Sequence, residues 1–344
     1  MEKPVLVTGG ASFIGSHLVD FLSRKGASVS VIDNLSSGLL ENLKGSPNVN
    51  FIKADLETDN LYELKKNFEG IEVVFHLAAA HGGRGYIDTH PADVCSNFAT
   101  DNRVFKLSFL EDIETVVQAS SACVYPPSLQ NSYNSDYLLI ESDANISDLT
   151  KPLSADLEYG WAKIMSEIQL QAYYKQYGMK SASMRFVTAY GPRENETHAI
   201  IALIYKALAK MDPYEIWGSG NQDRDFTYVE DIVSGCLLAA EKNISCERFN
   251  LGTGKRYTLK DTAETIFNLI NWHPKKIYYD ESKPTGVISR ALDISYTENK
   301  LGWKPIYNFK EGLRKTIMWY IKTHPTVNSV DHNLLLERIS EKIA

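Results

Sequence analysis

A chain of 344 residues with 44% hydrophobic side chains can bury a large core as one big domain or two unequal lobes, which excludes a small stapled scaffold. Its net charge of −7 excludes the concentrated positive surface that nucleic acid or an anionic membrane would require, so small-molecule chemistry is expected. Four cysteines (Cys95, Cys123, Cys236, Cys246) lack metal-site or disulfide-framework spacing, no run approaches the roughly 20 apolar residues of a membrane span, and the N-terminus lacks a signal-peptide stretch, so a cytoplasmic protein without a metal is expected.

In chain order, "PVLVTG" reads as a buried strand, "SHLVDFLSRKG" as an amphipathic helix closed by Gly26, and "SVSVID" as a second strand ending at Asp33. "NVNFIKAD", "VVFHLAAA" and "ETVVQASSA" continue the strands, with helical patterns between them. Strands alternating with helices predict parallel pairing, right-handed crossovers and a sheet covered on both faces, a doubly wound α/β fold of the Rossmann type. Beyond "SASMRFVTAYGPR" the rhythm loosens into short strands, "YEIWG" and "RFNLG", and helices, "YVEDIVSGCLLAAEK" and "TLKDTAETIFNLINW". The expected division is a dinucleotide-binding domain over 1–189 with about 226–250 returning to it, a smaller mixed α/β substrate lobe over 190–225 and 251–322, and a tail over 323–344. The tail sequence "VDHNLLLERISEKIA" reads as one amphipathic helix packed on the body or, as the alternative, on a second subunit.

Between the first strand and the first helix, Gly9, Ser12 and Gly15 occupy the three positions of a GxxGxxG turn. The outer glycines allow a tight turn and close helix packing, and the helix N-terminus faces a pyrophosphate. Ser12 departs from glycine, and its hydroxyl can bond a phosphate oxygen if the backbone angles suit an L-residue. Asp33 closes the second strand 18 residues after Gly15, where a carboxylate accepts both ribose hydroxyls and repels a 2′-phosphate, favouring NAD over NADP. Asp55 in "KAD" is a candidate adenine contact or a surface cap. Tyr159 and Lys163, four apart, share one helix face, and an ammonium beside a phenol lowers a pKa that is ordinarily about 10.

Together "HLAAA" (76–80), "SSACVYP" (120–126), "YGWAK" (159–163), "YGPR" (190–193) and "DRDFTYVED" (223–231) resemble the extended short-chain dehydrogenase/reductases, specifically the NAD-dependent nucleotide-sugar epimerases and dehydratases. "HGGRGYI" (81–87) and "SSACVYP" are most similar to the GDP-mannose 3,5-epimerase branch. The resemblance implies that Tyr159 takes the sugar hydroxyl proton, that Lys163 also holds the nicotinamide ribose, and that Ser121 bonds the reacting oxygen. It implies further cofactor contacts from Phe13, Ile14, Asn34, Leu56, Leu77, Ala78, Ala79, Asn97 and Phe186. Substrate contacts are implied for Gly83, Arg84, Ser121 and Thr188, the last standing where relatives show asparagine. Arg193, Arg224 and Arg290 would hold the diphosphate, since guanidinium forks match phosphate oxygens.

Where related 4,6-dehydratases show an Asp-Glu pair this chain has Ala122 and Cys123, which argues against dehydration. The resembling cysteine of 3,5-epimerases is half of a proton-transfer pair, and its partner there, a lysine, aligns here with His198, which can do the same work. Cys123 as a packing residue and His198 as a surface cap stand as the alternatives. The long loop from Pro126 to Leu157, "PPSLQNSYNSDY" within it, reads as a mobile surface segment able to cover the sugar. The expected function is an epimerase of a GDP- or UDP-linked hexose acting through a transient 4-keto sugar, as a homodimer. The alternatives are a UDP-sugar 4-epimerase, a UDP-glucuronate decarboxylase and a non-enzymatic NAD-sensing module.

Overall fold

A computed structural model of the chain describes residues 3–242 and 244–325. The tail helix expected over 330–344 lies outside the described residues. Each apolar run of the first half forms a strand: β1 (Val5–Thr8), β2 (Val29–Asp33), β3 (Val49–Lys53), β4 (Val73–His76), β5 (Thr115–Ser121) and β6 (Lys180–Phe186). With the strand Cys246–Leu251 they make a seven-stranded sheet in the order Cys246–Leu251, β6, β5, β4, β1, β2, β3, parallel throughout. The strand order reverses between β1 and β4, which opens a crevice at their carboxyl ends. This is the doubly wound α/β fold that the alternation predicts.

Both faces of the sheet are covered, which is why its strands run apolar without alternation. The helices Phe13–Arg24 and Val229–Glu241 pack Leu18, Val19, Leu22, Ile232, Val233 and Leu237 against Val5, Val7 and Val31 on one face. On the other, the helices Asn97–Leu110 and Leu157–Tyr177 bring Val104, Phe105 and Leu170 to Leu6, Ile32, Val74 and Val116. Fully burying one such side chain contributes about 1.5–3 kcal/mol. Cys236 belongs to this core, where burial pushes its thiol up to about 12. No helix among the described residues is long and apolar enough to cross a membrane.

A second core gathers Ile201, Ile204, Ile266, Phe267 and Leu313 from the helices Ala199–Leu208, Leu259–Ile270 and Phe309–Thr323 around Tyr190 and Tyr214 of two short strands. Around it, Asp223–Arg224 pairs with Tyr257–Thr258 and with Ser289–Arg290, and that last register sets Arg224 beside Arg290.

The loop between Pro126 and Leu157 departs from its expectation as a mobile cover. Leu139, Ala144 and Ile146 are buried with Val124, Tyr125 and Leu292. The Leu139 N–H donates to the Ala291 carbonyl at 3.0 Å, and Arg185 donates to the carbonyls of Glu141 and Ala144 at 2.8 and 3.0 Å. The stretches 131–137 and 149–152 stay largely exposed. Apolar anchors spaced singly among polar residues carry no periodicity, so composition alone hides them.

Candidate active site

The crevice begins where β1 runs into the turn before the helix Phe13–Arg24. Gly9 turns there with φ of 69°, and a Cβ on Gly15 would stand 2.1 Å from the Gly9 carbonyl oxygen, so the helix can seat on the turn only without one. Ser12 caps that helix with φ of −84° in extended conformation, which any L-residue adopts, so the middle position needs no glycine. Its hydroxyl lies 3.4 Å from Asp33 Oδ2, alongside a 3.0 Å bond from the Ala11 N–H to the same oxygen. The Leu35 N–H donates to the other oxygen at 2.8 Å, so Asp33 is fixed at the end of β2 facing the crevice. Asn34 donates to Asp55 at 3.0 Å, and that bond chiefly holds the Asp55 carboxyl below its usual range against the pull of burial.

The resulting cleft of about 580 Å³ is lined by Gly9, Ser12, Asp33, Asn34, Asp55, Leu56, Ala78 and Ala79 among the expected contacts. Ser36, Ser37, Ala80 and Thr100 also line it, and sequence reasoning missed them because short turns after strand ends have no periodic signature. Phe13, Ile14, Leu77 and Phe186 pack instead against the apolar cores beside the cleft. Asn97 acts on its wall indirectly: its side-chain amide accepts from the Ala80 N–H at 2.8 Å and donates to the Ala80 carbonyl at 3.0 Å.

Across the crevice, β5 ends at Ser121 and turns at once into a short 3-10 helix over Ala122–Val124. Ser121 Oγ accepts from the Cys123 N–H at 3.1 Å, which fixes both side chains. The helix Leu157–Tyr177 docks onto that turn through the Asp156 N–H, bonded to the Cys123 carbonyl at 2.8 Å. A Cβ on Gly160 would stand 2.3 Å from the same carbonyl oxygen, so glycine sets how closely the helix brings Tyr159 to Ser121 and Cys123. Tyr159 and Lys163 are both buried, with the Lys163 ammonium 5.8 Å from the phenol ring centre.

Burial, then the neighbouring Cys123 and Asp101, hold the Tyr159 phenol well above the ordinary range, while hydrogen bonding to Ser121 opposes them. Desolvation, rather than the lowering expected from Lys163, governs this phenol. His81, in the loop after β4, has its ring centre 5.5 Å from that of Tyr159 and 5.0 Å from that of His198. The His198 Nδ1 is 2.8 Å from Glu194 Oε1.

Arginines close the substrate side. Arg290 donates to Cys123 Sγ at 3.3 Å, to Gln130 at 2.5 Å and to Asp156 at 2.8 Å. Arg84 meets both oxygens of Asp156, at 2.9 and 3.0 Å. Arg224 donates to the Asp223 and Thr285 carbonyls, each at 2.6 Å, and its guanidinium is pushed down to about 10 by burial and then by the charges of Arg290 and Arg84. An anion entering between these groups would relieve that repulsion. Arg193 stands apart from them, its Nη2 paired with Asp20 at 2.7 Å on the first helix. Thr188 opens a short strand registered with Phe226, and Gly83 precedes the helix Arg84–Thr89.

Residues 5–252 match the family model described as the NAD dependent epimerase/dehydratase family. The chain belongs to that family. A Methanocaldococcus jannaschii protein provisionally named UDP-glucose 4-epimerase is 34% identical, over 92% of this chain and 97% of its own. The GDP-mannose 3,5-epimerase of Arabidopsis thaliana is 30% identical over 92% of this chain and 81% of its own. Among solved structures, the Thermotoga maritima UDP-glucose 4-epimerase with UDP-glucose superposes with a TM-score of 0.82 at 30% identity, covering 93% of this chain and 99% of that one.

The cofactor of the NAD dependent epimerase/dehydratase family is NAD, and the residues present fit it. The turn closed by Gly9 and Gly15 sets the start of the helix Phe13–Arg24 at the cleft, where a pyrophosphate would seat, and Asp33 at the end of β2 would meet the ribose hydroxyls.

Proposed function

We propose that the chain is an NAD-dependent nucleotide-sugar epimerase that works through a transient 4-keto sugar and inverts neighbouring carbons, in the manner of a GDP-mannose 3,5-epimerase. One observation carries this reading: Cys123 sits beside Ser121 and Tyr159 with its sulfur 3.3 Å from Arg290, an acid/base group that inversion at C4 alone does not require. Bound NAD supplies a hydride acceptor that later returns the hydride, so the cycle has no net redox change. Tyr159 takes the proton of the C4 hydroxyl, Ser121 steadies the same oxygen, and Lys163 provides the buried cation that favours the phenolate. The ketone acidifies the adjacent C–H bonds, and Cys123 with the His198 group moves protons there. Arg84, Arg224 and Arg290 hold the diphosphate, and Arg193 secures the turn beside the first helix.

A second reading, a UDP-sugar 4-epimerase, is favoured by the near full-length similarity to the M. jannaschii and T. maritima proteins. A cytoplasmic homodimer belongs to either reading, and the half-exposed Trp161, Met165, Tyr174 and Tyr177 on the helix Leu157–Tyr177 support the dimer. Product NMR after incubation with GDP-mannose, UDP-glucose and UDP-glucuronate separates the two. C3 or C5 epimers of GDP-mannose support the first, C4 epimers of a UDP-sugar the second, and no turnover of any sugar nucleotide would point to a sensor.

A further inference from the structure

The described residues hold one group of titratable side chains beside Tyr159 that the sequence did not place together. The buried Glu194 pairs its Oε1 with Nδ1 of the part-buried His198, while the His198 Nε2 and Glu194 Oε2 atoms are covered with no hydrogen-bond partner. Two orphaned polar atoms in one buried pair cost stability, and such sites persist where a proton is handled. The His198 ring faces His81, whose ring in turn faces Tyr159. A Cβ on Gly83 would stand 2.0 Å from the Thr197 carbonyl oxygen, so the loop carrying His81 is pressed against the turn carrying His198. His81 alone of the two imidazoles is exposed to solvent.

We propose that His81 is the acid/base group that reaches the sugar, and that His198 and Glu194 act through it as positioning residues in a proton relay. This rests on the epimerase reading above. The lone pair of His81 accepts the proton of a C–H bond beside the 4-ketone, and the C–H electron pair passes into the enolate. The opposite N–H of His81 gives its proton to the Nε2 lone pair of His198, whose Nδ1 faces Glu194 Oε1 at 2.8 Å, a carboxyl that burial pushes up and His198 holds down. The surplus proton thus rests on a pair that is electrically neutral, which is why it can be buried. Cys123 then gives its thiol proton to the other face of the carbon and recovers one from solvent, while the pair returns its surplus proton to solvent through His81. The gap between the rings closes when substrate binds, as catalytic hydrogen bonds do.

The groups facing His81 are His198, itself paired with Glu194, on one side and Tyr159 and Lys163 on the other. Crowding by protein, then the charges of His198 and Lys163, hold its pKa below the ordinary histidine range, although the ring still meets solvent through the cleft. His81 is therefore neutral and ready to accept a proton at pH 7.

The test takes the NAD-loaded protein with GDP-mannose in D₂O and reads two rates, reduction of bound NAD and deuterium uptake at carbon. His81→Gln is expected to lose uptake about 10²-fold more than it loses NAD reduction. Glu194→Gln is expected to move the acid limb of uptake to lower pH, because the proton shared in the pair loses its carboxylate. Equal loss of both rates in His81→Gln, or an unmoved limb in Glu194→Gln, would overturn the relay. If the wild type turns over UDP-sugars with no carbon label, the 3,5-epimerase reading has failed, and the relay is judged by histidine-selective nitrogen NMR on the NAD-loaded protein. There Glu194→Gln must shift the titration of His81 as well as the signals of His198, and a His81 titration indifferent to both Glu194→Gln and His198→Gln would overturn it.

Discussion

Arg290 donates to the Cys123 sulfur at 3.3 Å, and its other terminal nitrogen holds Asp156 at 2.8 Å. One guanidinium therefore joins the anion-binding cluster to the thiol beside Ser121, so a diphosphate settling on Arg290 also sets the surroundings of Cys123.

Arg290→Gln removes the charge but keeps a donor. A charge-assisted bond to phosphate contributes about 1.5–3 kcal/mol, so KM for the sugar nucleotide is expected to rise about 10–100-fold while NAD affinity holds. Steady-state kinetics beside NAD titration check this, and an unchanged KM would remove Arg290 from the diphosphate site.

Gly160→Ala introduces a Cβ 2.3 Å from the Cys123 carbonyl oxygen and 3.1 Å from the Ala155 methyl. Overpacking of this kind costs about 1–3 kcal/mol, and because Tyr159 is the next residue, Tm and kcat should fall together. Gly45→Ala, where a Cβ meets open space, is the matched control and should change neither.

Tyr159→Phe is expected to lower turnover about 10²–10⁴-fold with NAD binding intact. Because burial holds the phenol above its ordinary range, Tyr159 carries its proton at neutral pH, and oxidation at C4 should quicken as pH rises and the phenolate fraction grows. Lys163→Met removes a buried cation beside the phenol, so the ascending limb of kcat should move to higher pH. A limb that stays in place would show that Lys163 does not act on Tyr159.

Asp33 is pinned by the N–H groups of Ala11 and Leu35 at 3.0 and 2.8 Å, and a 2′-phosphate would meet its charge directly. The wild type should prefer NAD over NADP, and Asp33→Ala should erode that preference in competition binding. Equal affinity of the wild type for both dinucleotides would contradict this role.

The sheet was legible because its strands are continuous apolar runs between helical patterns, and the cofactor crevice because Gly9, Gly15 and Asp33 hold fixed places relative to strand ends. Ser12 was legible only as a departure, since its tolerance depends on a backbone angle of −84° that sequence does not state. The loop anchored by Leu139 and Ile146 was misjudged because isolated apolar residues have no period. His81 was missed although "HGGRGYI" was singled out, because its partners His198 and Tyr159 come from distant segments. Its place directly after β4, at the carboxyl edge of the sheet where sites form, was the available signal.

The central claim is that a transient ketone lets this protein move protons at carbon, and the origin of those protons tests it most directly. Turnover of GDP-mannose in D₂O by the NAD-loaded protein, read by product NMR, should place deuterium at C3 or C5 with no net accumulation of reduced nicotinamide, and Cys123→Ser should suppress that label far more than oxidation at C4. Interconversion of a substrate pair with no deuterium at carbon would contradict the account and return Cys123 to a packing role behind Ser121.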